Sequence, residues 1–169
     1  MPAGTLTPEI RDFPVTPVVG LEQQFQRETL GDIAGLWTRL RDRADEIESA
    51  IPYADGGASF GIFSVTAPPA GDIIYLAATQ VRDLSAVPDG MVGREIGGGQ
   101  AAVFTIRLEP GPIGPQVGAA YDAIWRHWLP ASDYVPAAQH DIERYDRRFD
   151  PATMTGELEL IMPVKRREG

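Results

Sequence analysis

Two stretches of this chain repeat apolar residues at helical period, and most of what lies between them reads as strand. In the first stretch Ile33, Leu36, Trp37, Leu40, Ala44 and Ile47 form one stripe, while Arg39, Arg41, Asp42, Arg43, Asp45 and Glu46 occupy the other face. That pattern predicts an amphipathic helix from about Thr29 to Ser49, with Thr29 and Asp32 at cap spacing and Pro52, Gly56 and Gly57 ending it. In the second, Ile113, Val117, Tyr121, Ile124 and Trp128 predict a helix that starts after Pro110-Gly111-Pro112 and stops at Leu129-Pro130. Strands are expected over 13–28, interrupted near Pro17 and Gly20, and over 58–66 and 73–82, joined by the turn Pro68-Pro69-Ala70-Gly71-Asp72. Residues 91–109 read as a short strand, a glycine hinge and a longer strand, and 139–145 and 156–164 read as two more.

The order strand, helix, strand, strand thus occurs twice, in halves of about 13–82 and 90–165 within a single domain of 13–169, after a loose arm at 1–12. The fold class is α+β: duplicated β-α-β-β units form a curved antiparallel sheet. Two helices cover one face, and the expected ligand cleft lies on the other.

Composition narrows the function. At 169 residues the chain fits one domain, and 24 acidic against 15 basic residues give a net charge of −9. Such a surface repels nucleic acid and favours cationic ligands, so no direct nucleic-acid partner is expected. With no cysteine, and with His127 and His140 on different elements, no metal site is expected. Gly97-Gly98-Gly99 lacks the lysine and spacing of a phosphate loop and reads as a hinge; no Gly-x-Ser-x-Gly elbow is present and no cofactor is expected. No apolar run is long enough to span a membrane, and residues 1–14 lack a signal-peptide pattern, so a cytoplasmic protein without a membrane partner is expected.

What remains is a set of carboxylates among aromatics. Asp141, Glu143 and Tyr145 share one face of their strand and Ile142 takes the other. If Ile142 lies under the helices, Glu143 and Tyr145 face the open side, and Glu159 is expected there with them. Trp37, Tyr53, Phe63, Tyr75, Trp125 and Trp128 are the aromatics available to line a pocket. The pattern alone leaves two readings open, a solvated strand face above a core or a binding cleft.

Several words in the chain carry a resemblance. They are Leu36-Trp37, Ile96-Gly97-Gly98-Gly99-Gln100-Ala101-Ala102-Val103-Phe104, Tyr121-Asp122-Ala123-Ile124-Trp125, Trp128-Leu129-Pro130-Ala131-Ser132, Asp141-Ile142-Glu143-Arg144-Tyr145 and Glu157-Leu158-Glu159-Leu160-Ile161-Met162-Pro163-Val164. In this order, and over nearly the whole chain, they resemble the gyrase-inhibitor-like (GyrI-like) small-molecule-binding, or bacterial effector-binding, domain. The resemblance implies a pair of β-α-β-β units related by a pseudo-two-fold axis and a cleft for hydrophobic or cationic compounds, as in multidrug-type binding and transcription regulation. It implies that Glu143 floors the pocket with Tyr145 beside it. It further implies a stand-alone version, because many relatives carry a DNA-binding domain ahead of this one. Binding rather than catalysis is the leading expectation. Two alternatives accompany it: a hydrolase of strained electrophilic natural products with Glu143 as general base, and an acidic protein whose partner is DNA gyrase or a transcription regulator.

Overall fold

Each strand offers two faces, and the registers between strands decide how those faces align across the sheet. The computed structural model describes residues 6–65, 72–138 and 140–168. The expected turn at 68–71, Thr66 at the end of its strand, Gln139 and the first five residues lie outside the described residues. Eight strands form one antiparallel path: β1 (Glu9–Phe13), β2 (Thr16–Phe25), β3 (Ser59–Val65), β4 (Ile73–Gln80), β5 (Val92–Ile96), β6 (Gly99–Leu108), β8 (His140–Tyr145) and β10 (Thr155–Arg166). Their order across the sheet is β1-β6-β10-β8-β3-β4-β2-β5, and the short strands β7 (Tyr134–Pro136) and β9 (Phe149–Asp150) add to β10.

This order contains the expected duplication. The unit β2-α1-β3-β4, with helix α1 (Ile33–Asp42), and the unit β6-α2-β8-β10, with helix α2 (Ile113–Ala123), lay out their strands in mirrored sequence from the central pair β3 and β8. That pair is antiparallel, with Gly61 opposite Glu143 and Ile62 opposite Ile142. The α+β class, the curved antiparallel sheet and the placement of both helices on one face are as the sequence predicts.

Residues of α1 and α2 pack on the same side. Leu36 and Leu40 join Val19, Phe25, Ile73, Tyr75 and Ala77, while Val117, Ala120 and Ile124 join Phe104, Leu108, Leu158, Leu160 and Met162. The opposite face is not open. Phe13, Phe60, Ile62, Leu76, Ile96, Val103, Ile142 and Ile161 fill it as one buried cluster. In a flat sheet β1 and β3 would stand four strand spacings apart, about 19 Å. The rings of Phe13 and Phe60 are nevertheless 6.3 Å apart, so the sheet curls around this cluster and carries the helices outside.

Several local expectations change. Residues 9–13 form the edge strand β1 on β6 rather than a loose arm, because Ile10 and Phe13 both find apolar partners there. Pro17 and Gly20 do not interrupt β2, which runs unbroken between β4 and β5. The first helix stops at Asp42; beyond it the chain tightens into a 3-10 turn at Ala44–Glu46, where Arg43 donates to Glu46 and to the Asp89 carbonyl. Pro130 does not end the second helix. A π turn (Ile124–Trp128) leads into α3 (Leu129–Ala131), which places the proline in a first turn, where its missing N–H is tolerated. Ser132, with extended backbone, ends it.

The glycine hinge is where it was read. Gly97 has φ 86°, and the Gly98 N–H donates to the Phe13 carbonyl at 2.7 Å, fastening the β5–β6 corner to the β1–β2 corner. A Cβ at Gly97 would strike the Pro14 carbonyl oxygen as well as hold a left-handed backbone, whereas one at Gly99 would meet nothing within 4 Å. Gly97→Ala should therefore lower stability by about 1–3 kcal/mol, with Gly99→Ala within about 0.5 kcal/mol of wild type, read as the shift in urea midpoint.

Candidate functional site

On the helix-bearing face the two helices stand over different pairs of strands. α1 sits over β2 and β4, α2 sits over β6 and β10, and β3 and β8 run between them. The residues that β8 turns to this side are Asp141, Glu143 and Tyr145; Ile142 turns to the concave core. The conditional expectation is thus reversed. Glu143 and Tyr145 face the helices, because the curl of the sheet buries Ile142 on the side that has none.

Glu143 is 8% exposed, and Gly61 across the ladder makes its position feasible. A Cβ at Gly61 would overlap Tyr75 Oη and lie 2.6 Å from Glu143 Oε1. In the space left by its absence, Tyr75 Oη donates to Glu143 Oε1 at 2.9 Å. Tyr145 Oη donates to Glu143 Oε2 at 3.3 Å, and Trp37 Nε1 donates to Tyr75 Oη at 3.0 Å. The Trp37 ring lies edge-on to both tyrosines, with centroids 6.3 Å from Tyr75 and 5.8 Å from Tyr145. An α1 side chain and three strand side chains thereby form one hydrogen-bonded aromatic group around a carboxylate.

Burial pushes the Glu143 carboxyl up to about 7; the two phenols pull it back and Asp141 adds to the rise. Burial likewise lifts Asp141 to about 6, opposed by the indole of Trp125. Tyr75 and Tyr145 are held well above their ordinary range, first by burial and then by the nearby Glu143, so both remain donors. Among the described residues Glu143 makes no ion pair. A carboxylate that is buried, lined by rings and without a cationic partner can bind a cation or take up a proton near neutral pH.

The predicted residues divide. Glu143, Tyr145, Tyr75 and Trp37 are in mutual contact. Phe63 stands opposite both Tyr75 and Asp141 in the ladders. Tyr53 hydrogen-bonds Ser59, whose ladder partner is Tyr145. Trp125, 43% exposed, stands beside Asp141. Trp128 is elsewhere, edge-on to Phe104 at 5.1 Å and stacked on Tyr134. Glu159 is also elsewhere. The register pairs Leu160, not Glu159, with Glu143, and this turns Glu159 to the opposite face. There it is 4% exposed and held by Arg11 at 2.9 Å and by Arg144 and Arg148 at 3.3 Å each. It ties β1 and β10 to the β8–β9 segment. Tyr121, in the helix stripe and in one of the family words but not among the expected site residues, feels the charges of Glu143, Asp141 and Tyr145; its spacing of four residues from Trp125 is the available signal. Nothing in the pattern marked Gly61.

The sequence description of the GyrI-like small molecule binding domain matches residues 6–165. This chain belongs to that family. The transcriptional regulator BrlR of Pseudomonas aeruginosa is 32% identical over 157 residues, 92% of this GyrI-like chain and 54% of BrlR, so the chain spans about half the length of that relative. Among solved structures, SAV2435 bound to tetraphenylphosphonium superposes with a TM-score of 0.70 at 15% identity, covering 94% of this chain and 93% of that one. EcmrR in a complex with DNA superposes with a TM-score of 0.72 at 12% identity, covering 98% of this chain and 60% of that one. At such identities these two likenesses show the shared fold. No helix among the described residues of this GyrI-like domain is long and apolar enough to cross a membrane.

The raised carboxyl has a measurable consequence. Between about pH 4.5 and 7 the folded chain keeps the Glu143 proton that the unfolded chain releases, so stability falls as pH rises through this window and levels off above it. The loss is on the order of 3 kcal/mol, and Asp141 adds to it below about pH 6. In Glu143→Gln the fall should be much smaller, as read from urea unfolding at half-unit steps of pH. Gly61→Ala should drive Tyr75 off the carboxylate and lower stability by about 1–3 kcal/mol, read from the same unfolding curves.

Proposed function

We propose that this GyrI-like domain is a receptor for hydrophobic cations, of the effector or multidrug-sequestering kind, with Glu143 as counter-ion and Trp37, Tyr75 and Tyr145 as the aromatic surround. The observation that carries the reading is the buried carboxylate with two phenol donors and, among the described residues, no basic partner. A bound cation would supply the missing charge, and ring faces would add cation–π attraction. The tetraphenylphosphonium of SAV2435 is a ligand of this chemistry on the same fold, and BrlR, a transcriptional regulator, supports an effector role. The net charge of −9 adds long-range attraction for cations.

The near-neutral Glu143 favours a second reading, hydrolysis of a strained electrophile with this carboxylate as general base. Product formation from an electrophilic cyclopropane, lost in Glu143→Gln, would establish it; binding without turnover supports the receptor.

The receptor is tested by calorimetric titration of an aryl trimethylammonium ion and its neutral tert-butyl analogue. Glu143→Gln should weaken the cation roughly tenfold or more and leave the neutral analogue nearly unchanged. Because a proton competes for the same carboxylate, cation affinity in wild type should rise with pH up to about 7 and then flatten, while the glutamine variant stays flat. Equal losses for both ligands would remove Glu143 from the site.

A further inference from the structure

One buried polar atom beneath α2 is left unmatched among the described residues. Tyr121, on α2, packs its ring against the core beneath that helix, and its hydroxyl is fully buried yet has no hydrogen-bond partner among the described residues. Burial and then the charges of Glu143, Asp141 and Tyr145 act on it electrostatically. Glu143 is already engaged by Tyr75 and Tyr145, and Asp141 faces Trp125. Buried polar groups are nearly always paired, and leaving one unpaired is destabilising. A phenylalanine would fill the same ring space without that penalty.

We propose that Tyr121 Oη donates a hydrogen bond to the bound ligand, which makes the ligand class a lipophilic cation that also carries an acceptor oxygen, such as a ketone or ether. The inference rests on the reading of Glu143 as counter-ion. Tyr121 meets the ligand as a donor because burial and the adjacent carboxylates keep its proton in place. Tyr121 and Glu143 do not bond to each other, so they engage different atoms of the ligand, the acceptor toward α2 and the cation toward the sheet. A bare cation would satisfy Glu143 and leave the Tyr121 hydroxyl buried and unpaired; an oxygenated one satisfies both. The site discriminates by this second group, as sites with an unpaired buried donor do.

The probes are 2-naphthoylmethyl-trimethylammonium and its isostere in which a methylidene replaces the carbonyl oxygen. They share charge and shape and differ in the acceptor alone. Wild type should bind the carbonyl probe about five- to tenfold more tightly, and Tyr121→Phe should erase that preference while binding the methylidene probe as wild type does. The empty Tyr121→Phe protein should melt at or above the wild-type temperature, since it loses no hydrogen bond. A preference that is absent in wild type, or that survives in Tyr121→Phe, would overturn the proposal while leaving Glu143 as counter-ion, provided Glu143→Gln still weakens both probes. A clear drop in melting temperature would also overturn it, by showing that the hydroxyl has a partner inside the protein. Failure of wild type to bind either probe would sink the receptor reading and this inference together.

Discussion

The pairing of β3 with β8 holds this molecule together. It is the one ladder, among the described residues, between the unit β2-α1-β3-β4 and the unit β6-α2-β8-β10. Its two faces do different work. Toward the concave side, Ile62 and Ile142 meet at the centre of an apolar cluster drawn from both edges of the sheet. Toward the helices, Gly61 and Glu143 meet, and the absence of a side chain on one strand is what lets the carboxylate of the other reach Tyr75. Helix α1 reaches across this seam, because its Trp37 lies edge-on to Tyr145 of the other half.

The electrostatics follow from that placement. A carboxyl on an exposed strand face would ionise well below neutral pH. Here the sheet beneath, α1 on one side and α2 on the other remove water, and the phenol donors restore only part of what hydration supplied. The group is left balanced between proton and charge. The contrast with Glu159 is instructive, since it is buried as deeply but among three arginines. One buried glutamate is matched by arginines within the fold and fastens it; the other has, among the described residues, no basic partner.

Much of this was legible in the chain. Helical stripes such as Leu36, Trp37 and Leu40, and alternation such as Asp141, Glu143 and Tyr145, report local periodicity, and local periodicity survived folding. The family words carried Glu143 and Tyr145 to the site. What failed was long-range. Alternation within β10 separates Glu159 from Leu160 but does not say which of them lies beside Glu143; only the register does. The direction in which the sheet curls, set by contacts such as Phe13 on Phe60, decides which face becomes core, and no single strand encodes it. Trp128 fits a pocket as well as a core by its spacing, and its neighbours Phe104 and Tyr134 come from other elements. Pro130 misled because the π turn that accommodates it has no simple composition.

The duplication has a consequence for how a guest is read. A scaffold with a true two-fold axis would offer a molecule two equivalent orientations in a cleft that straddles the axis. In this chain the central ladder sets Gly61 against Glu143, a blank position facing an acid. Trp37 is brought by one helix and Tyr121 by the other, so the walls differ as well as the floor. The symmetry of the backbone is therefore cancelled by the side chains, and the cleft has a head and a tail.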